Sequence, residues 1–142
     1  MVELKILIIN TEHYNEFINI THRIEELIQE SSVKNGMVLI ATQHTTTGIT
    51  LNESLECLQR DMGNMLANLA PEDAPYNHAR MLHSYGTTAG NPTGHLKSHL
   101  TGSQVVMSVS DGKLLRGGAQ DIFFCEFDGA QRRKILVQIM GE

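Results

Sequence analysis

Two Asp-Gly pairs, Asp111-Gly112 and Asp128-Gly129, punctuate the C-terminal third of the chain, each between runs of apolar and β-branched residues. An Asp-Gly pair accepts the two positive φ angles of a type I′ turn at low cost, so each pair is a hairpin signal. The runs Gln104–Ser110, Lys113–Leu115, Ala119–Phe127 and Arg133–Met140 therefore read as strands of an antiparallel meander. At the other end, residues 3–9 carry apolar side chains on both parities. That pattern predicts a strand covered on both faces. A short apolar piece follows at Phe17–Ile18, Met37–Thr42 reads as a central strand, and Gly48–Asn52 as a short one.

Helices fall between these strands. Ile20, Ile24, Leu27 and Ile28 recur at i, i+4, i+7, i+8, with Asn19 or Thr21 as cap and Lys34-Asn35-Gly36 as the stop. A longer helix spans about Ser54 to Leu69, where Leu55, Leu58, Met62, Met65, Leu66 and Leu69 form one stripe. Residues 71–94 hold all three prolines and read as a long loop, a type that is usually functional or disordered. A short helix is expected from near Pro92 to Thr101, ended by Gly102. Two main helices, one short helix and a mostly antiparallel sheet make an α+β domain spanning 1–142.

Composition narrows the class of function. Lys plus Arg number 11 against 16 Asp plus Glu, a net charge of -5, which argues against a nucleic-acid footprint. The longest apolar runs are too short for a transmembrane helix. The N-terminal MVELKILIIN is too short in apolar residues for a signal peptide and includes Glu3 and Lys5. A cytoplasmic setting with both thiols, Cys57 and Cys125, reduced and buried as small hydrophobes is expected. Seven histidines and no tryptophan are the two compositional outliers.

His44, at the mouth of a strand, opens His44-Thr45-Thr46-Thr47-Gly48 and is followed by Asn52-Glu53. His78 lies in the long loop, and His95 on the short helix shares a face with His99. The His95/His99 pair lacks the Glu of a zinc-protease motif, since Leu96 stands there. Histidines from three different elements are how an open zinc site with a free coordination position is commonly built, and two cysteines are too few for a thiolate site. Glu53 and Asp61 are the carboxylates expected to orient a ligand or move a proton. Read residue by residue, each of these groups also has an ordinary structural role open to it: a hydrogen-bonded histidine, a capping or solvated carboxylate.

The segment Gln43-His44-Thr45-Thr46-Thr47-Gly48-Ile49-Thr50-Leu51-Asn52-Glu53 resembles the His-Thr … Asn-Glu signature of the YjbQ-like family. Gly94-His95-Leu96-Lys97-Ser98 with Gly102-Ser103 is similar to its Ala-His helix and Gly-x-Ser strand. Gly112-Lys113-Leu114, Gln120-Asp121-Ile122, Glu126-Phe127-Asp128-Gly129 and Arg132-Arg133 match its closing segments. The resemblance implies an α+β half-barrel assembled as a homotrimer. It also implies a divalent metal, expected to be zinc, held by His44, His78 and His95. The activity described for the family is that of a secondary thiamine-phosphate synthase, joining a pyrimidine diphosphate to a thiazole phosphate with loss of pyrophosphate.

On that basis Glu53 and Asp61 are the expected catalytic carboxylates. Lys97 and Arg80 are expected on the substrate together with Asn52 and Gln120, with Arg116 a further base, and the amides opening the His95 helix assisting. His99 and His83 are possible neighbours of the site, and His13 and His22 read as surface residues. The chain departs from the family pattern in several places. Ala79 replaces an acidic residue, Ala89-Gly90-Asn91 stands for Asp-Gly-Asn, and Arg116-Gly117-Gly118-Ala119-Gln120 lacks the usual Thr and Trp. Two functions follow as expectations: a metal-dependent enzyme acting on a small phosphorylated or heterocyclic substrate, or a non-catalytic trimer that binds a metal or small ligand.

Overall fold

The computed structural model describes residues 1–80 and 91–142, with the side chains of Ala79 and Arg80 also outside the description. His83 and Ala89 therefore lie outside it, as does any side-chain role for Arg80.

Two antiparallel sheets organise the chain. Strands β1 (Val2–Asn10), β3 (Gly36–Thr42), β5 (Gln104–Ser110), β6 (Lys113–Leu114) and β8 (Arg132–Gly141) form one in the order β1-β8-β3-β5-β6. Strands β2 (Glu16–Asn19), β4 (Thr47–Asn52) and β7 (Asp121–Glu126) form the other, in the order β2-β7-β4. Helix α1 (Thr21–Glu30) and helix α2 (Glu56–Leu69) are the two main helices; α3 (Asn77–Arg80) is one turn, and α4 (Pro92–Thr101) is the short helix. This is the expected α+β half-barrel, with every described strand pairing antiparallel.

The main core lies between the sheets. Leu7 and Ile9 of β1, Ile135, Val137 and Ile139 of β8, Val38 and Ile40 of β3, and Met107 and Val109 of β5 alternate inward, as period-2 strands must. They meet Ile24 and Ile28 of α1, Ile49 of β4, and Ile122 and Phe124 of β7. A smaller core occupies the other face of the three-stranded sheet, where Phe123, Cys125 and Phe127 pack with Phe17 and with Leu66 of α2. Strand β7 is thus apolar on both faces because it serves two cores.

Several expectations are corrected. The strand at residues 3–9 is covered on one face only: it is a sheet edge, with Leu4 and Ile6 each 56% exposed. The Asp111-Gly112 hairpin is present, with φ of 51° and 73°. Asp128-Gly129 is no I′ hairpin; neither residue has positive φ, and β7 and β8 belong to different sheets. The meander therefore breaks after β6. The reason is local: Phe127 N–H donates to Thr46 O and Asp128 N–H to Glu126 Oε2, which commits this turn to the β3–β4 loop. Helix α1 stops at Glu30 rather than at 34–36, and Cys57 is exposed while Cys125 is buried. On α2 only Leu66 of the apolar stripe is buried, with Met65 and Leu69 exposed.

Candidate functional site

Strand β3 delivers the chain to the loop 43–46, and threonines brace that loop. Thr47 Oγ1 donates to His44 O at 3.0 Å and pairs with Thr42 Oγ1 across the turn. Thr46, fully buried, presents His44 Nδ1 with its backbone N–H at 3.1 Å and its hydroxyl at 2.8 Å. The ring is therefore held at one nitrogen, with Nε2 left to face away. With Nδ1 accepting from the Thr46 amide, the neutral ring carries its proton on Nε2. Metal ligation through Nε2 would require Nδ1 to take that proton and donate to Thr46 Oγ1 instead.

Behind Thr46 stands a buried ion pair. Arg133 donates from Nε to Glu126 Oε1 at 2.8 Å and from Nη2 to Glu126 Oε2 at 2.7 Å, and Nη2 also reaches Thr46 Oγ1 at 3.1 Å. Glu126 further accepts from Thr11 Oγ1 and from the Asp128 amide. Burial pushes the Glu126 carboxyl up, but Arg133 and these other donors outweigh it and hold it below the ordinary carboxylate range. For His44, partial desolvation leads, joined by the charges of Arg133 and His95; Asp128 and Glu126 pull only part of the way back. The imidazole is held below its usual range, hence neutral at pH 7, the form that ligates metals.

Helix α4 brings the second histidine. Pro92 opens it, and two glycines let it lie against β4. A Cβ on Gly94 would meet Phe127 O at 2.8 Å and Thr46 at 3.4 Å, and one on Gly48 would meet Thr101 at 2.7 Å. Ser98 Oγ adds a bond to Thr47 O at 2.6 Å. His95 therefore sits beside the His44 loop, and its ring centroid is 5.0 Å from that of His78 on α3. His78 and His95 line a cavity of about 280 Å³ with Tyr76, Asn77, Pro92 and Leu96. Among the described residues no three His, Cys, Asp or Glu side chains stand in finished metal-ligand geometry.

A second cavity, about 350 Å³, is lined by Gln43, His44, Arg132, Arg133 and Lys134. It arises because β8 outlasts its neighbour. β3 pairs with β8 only from Thr42↔Ile135 onward, so residues 132–134 border the space left where Gln43 and His44 turn away.

The remaining expected residues divide between the two ends of the three-stranded sheet. Glu53 follows Asn52 at the far end of β4, a strand roughly 20 Å long, and Asn52 pairs with Asp121, the residue after Gln120. Within one chain, Asn52, Glu53 and Gln120 therefore lie opposite the histidines. Asp61 is exposed on α2. Asn52 Nδ2 contacts Met62 Sδ at 3.6 Å, and Gln120 Oε1 accepts the Gly117 amide at 2.8 Å. Arg116 is engaged by Asp121 and Glu25. Lys97 is buried and bonds Asn15 Oδ1 at 2.9 Å; burial holds its ammonium below the ordinary lysine range, against the pull of Glu72. It is a structural lysine rather than an open phosphate ligand. His99 is exposed on α4. Thr46, Glu126, Asp128, Arg132, Arg133 and Lys134 are the site residues that sequence reading missed. Their signal was the Arg132-Arg133-Lys134 run beyond an Asp-Gly pair.

An antiparallel half-barrel with histidines gathered at the mouth of one sheet defines a small α+β protein with a side-chain cluster suited to a ligand. The description UPF0047 protein YjbQ-like matches residues 5–142, and the chain belongs to that family. Its relatives include the UPF0047 protein MJ1081 of Methanocaldococcus jannaschii, 38% identical over 94% of this chain and 91% of that one. The UPF0047 protein YugU of Bacillus subtilis is 36% identical over 97% and 99%. A crystal structure of a YbjQ-like protein of unknown function from Sulfolobus solfataricus superposes with a TM-score of 0.91 at 30% identity, covering 100% of this chain and 99% of that one.

Proposed function

We propose that this chain is a metal-dependent enzyme of small phosphorylated or heterocyclic substrates, of the secondary thiamine-phosphate synthase type, working as a homotrimer. The observation that carries the reading is the approach of His78 and His95 to 5.0 Å beside a His44 ring oriented by Thr46. The donor set suits zinc: nitrogen ligands, one of them held neutral, and no thiolate within the cluster. His44, His78 and His95 would hold the ion, which supplies Lewis acidity toward a phosphoryl oxygen or water. The chain's own contribution is orientation. Arg133 and Glu126 fix Thr46, and Thr46 fixes the His44 ring. Asp128, whose Oδ2 accepts from Asn91 Nδ2 at 2.8 Å, is the nearby carboxylate available to hold a proton.

The separation of Glu53 and Asp61 from the histidines within one chain favours a second reading, a metal-binding trimer without turnover. One experiment divides the two. Protein purified without chelator is expected to carry stoichiometric metal, reduced at least about tenfold in His44→Ala and His95→Ala. Thiamine-phosphate formation or phosphoester hydrolysis lost in the same variants supports the enzyme, and metal without turnover supports the binder. Absence of metal, with a melting temperature unmoved by chelation, overturns both.

A further inference from the structure

We propose that the cavity between His44 and residues 132–134 is an anion site that takes the phosphate or pyrophosphate group of a small molecule. The proposal deepens the reading above by locating the phosphate end of the substrate, away from Lys97 and Arg116, which are otherwise engaged.

The charge argument comes first. The chain carries -5 overall, yet this cavity is lined by Gln43, His44, Arg132, Arg133 and Lys134, with no carboxylate. A concave site of one sign focuses the field on its ligand, against the long-range sign of the molecule. Two of the three bases are also uncommitted. Among the described residues Lys5, Arg60, Arg116 and Arg133 pair with carboxylates, while Arg23, Lys34 and Lys97 bond to backbone or side-chain oxygens. Arg132 and Lys134 form no ion pair among the described residues, and strand alternation puts both on the exposed face of β8, with Arg133 between them on the buried face.

The buried wall of the cavity is fixed by hydrogen bonds, and its outer bases are exposed. Arg133 is 6% exposed, and its Nε and Nη2 are tied to Glu126 and Thr46. Its Nη1 makes no hydrogen bond among the described residues. A guanidinium held in this way offers a donor that needs no ordering when an oxyanion arrives, while Arg132 and Lys134 border the cavity from the exposed face of β8. Glu126 is satisfied by Arg133, Thr11 and the Asp128 amide, so the buried carboxylate is already compensated. A phosphate group fits a cavity lined by three bases and no carboxylate; an apolar or cationic ligand does not.

The test is calorimetric titration of the full chain, stripped of metal by chelation and dialysed into low-salt buffer, with sodium pyrophosphate and inorganic phosphate. Saturable binding that weakens with added salt is expected. R132A and K134A should each weaken pyrophosphate by about tenfold, and the double variant should abolish it. R132K should stay within about threefold, and K113A, an exposed base on β6, within about twofold. Unsaturable binding, a double variant that binds like the wild type, or an equal loss in K113A overturns the site. So does an oligonucleotide that binds through Arg132 and Lys134 more tightly than pyrophosphate. Because the protein is metal-free throughout, failure here leaves the metal assay to be judged by itself, and failure of that assay leaves this titration decisive.

Discussion

At the scale of single residues, Glu126 holds the site together from behind. Its carboxylate is fully buried and joined to Arg133 by two bonds, and removing one partner of such a pair leaves an uncompensated charge. Glu126→Gln is expected to cost about 3–5 kcal/mol, read as a lower urea midpoint at pH 7. The sign of the pH effect follows from linkage. Because the folded-state pKa lies below the ordinary value of 4.5, the contribution is present above that value and lost as pH falls through the folded pKa. The wild type should therefore lose stability across that acid window, and the variant should show a flatter limb there; identical limbs would refute the assignment. Of this network, His44 was legible because a histidine closing a strand-like run stands out. Glu126 and Arg133 were not, since both were placed in a hairpin that does not exist. Their meeting depends on β7 and β8 parting into two sheets, a long-range choice that no local turn signal encodes.

At the scale of elements, the helices and most strands were readable from periodicity, and α4 and β5 fall where their capping and turn residues place them. Misreadings came where an element's neighbours, not its own residues, decide the outcome. Two helical glycines make the point. A Cβ on Gly63 of α2 would meet only Phe17 at 4.0 Å, whereas one on Gly94 of α4 would press on the carbonyl of Phe127 at 2.8 Å. Alanine is intrinsically better than glycine inside a helix, so Gly63→Ala should stabilise by about 0.5–1 kcal/mol. Gly94→Ala should destabilise by about 1–3 kcal/mol, because the backbone it strikes cannot swing aside. Urea unfolding of the two variants should give midpoints shifted in opposite directions. Equal shifts would mean that α4 is not seated on that carbonyl.

At the scale of the whole molecule, the five-stranded sheet leaves one face open. Val2, Leu4 and Ile6 of β1 stand in register with Met140, Gln138 and Leu136 of β8, and Met37, Leu39 and Val106 continue the surface, which gives way at Ile8 and Lys134 to the cavity beside His44. An apolar sheet face of this extent is normally covered. The apolar residues on both parities of residues 3–9 pointed to two-sided cover, and a single chain supplies only one side. The proposed trimer accounts for the other. Ile6→Lys places a charge in the middle of that face and should reduce the assembly toward the 15.8 kDa chain in sedimentation equilibrium, with secondary structure retained. An unchanged mass would move the interface elsewhere. Among the described residues no helix is long and apolar enough to cross a membrane.

Strand β7 has a further property that follows from serving two cores. A strand that is apolar on both faces has weak hydrophobic preference for its register, because sliding it by one residue merely exchanges Ile122 and Phe124 for Phe123 and Cys125. Glu126 removes the ambiguity. The same slide would carry its carboxylate into the smaller core against Phe17 and Leu66, away from Arg133, among side chains that offer it no donor. One buried charge at the end of the strand thus acts as an alignment mark, setting which way every other side chain of β7 faces.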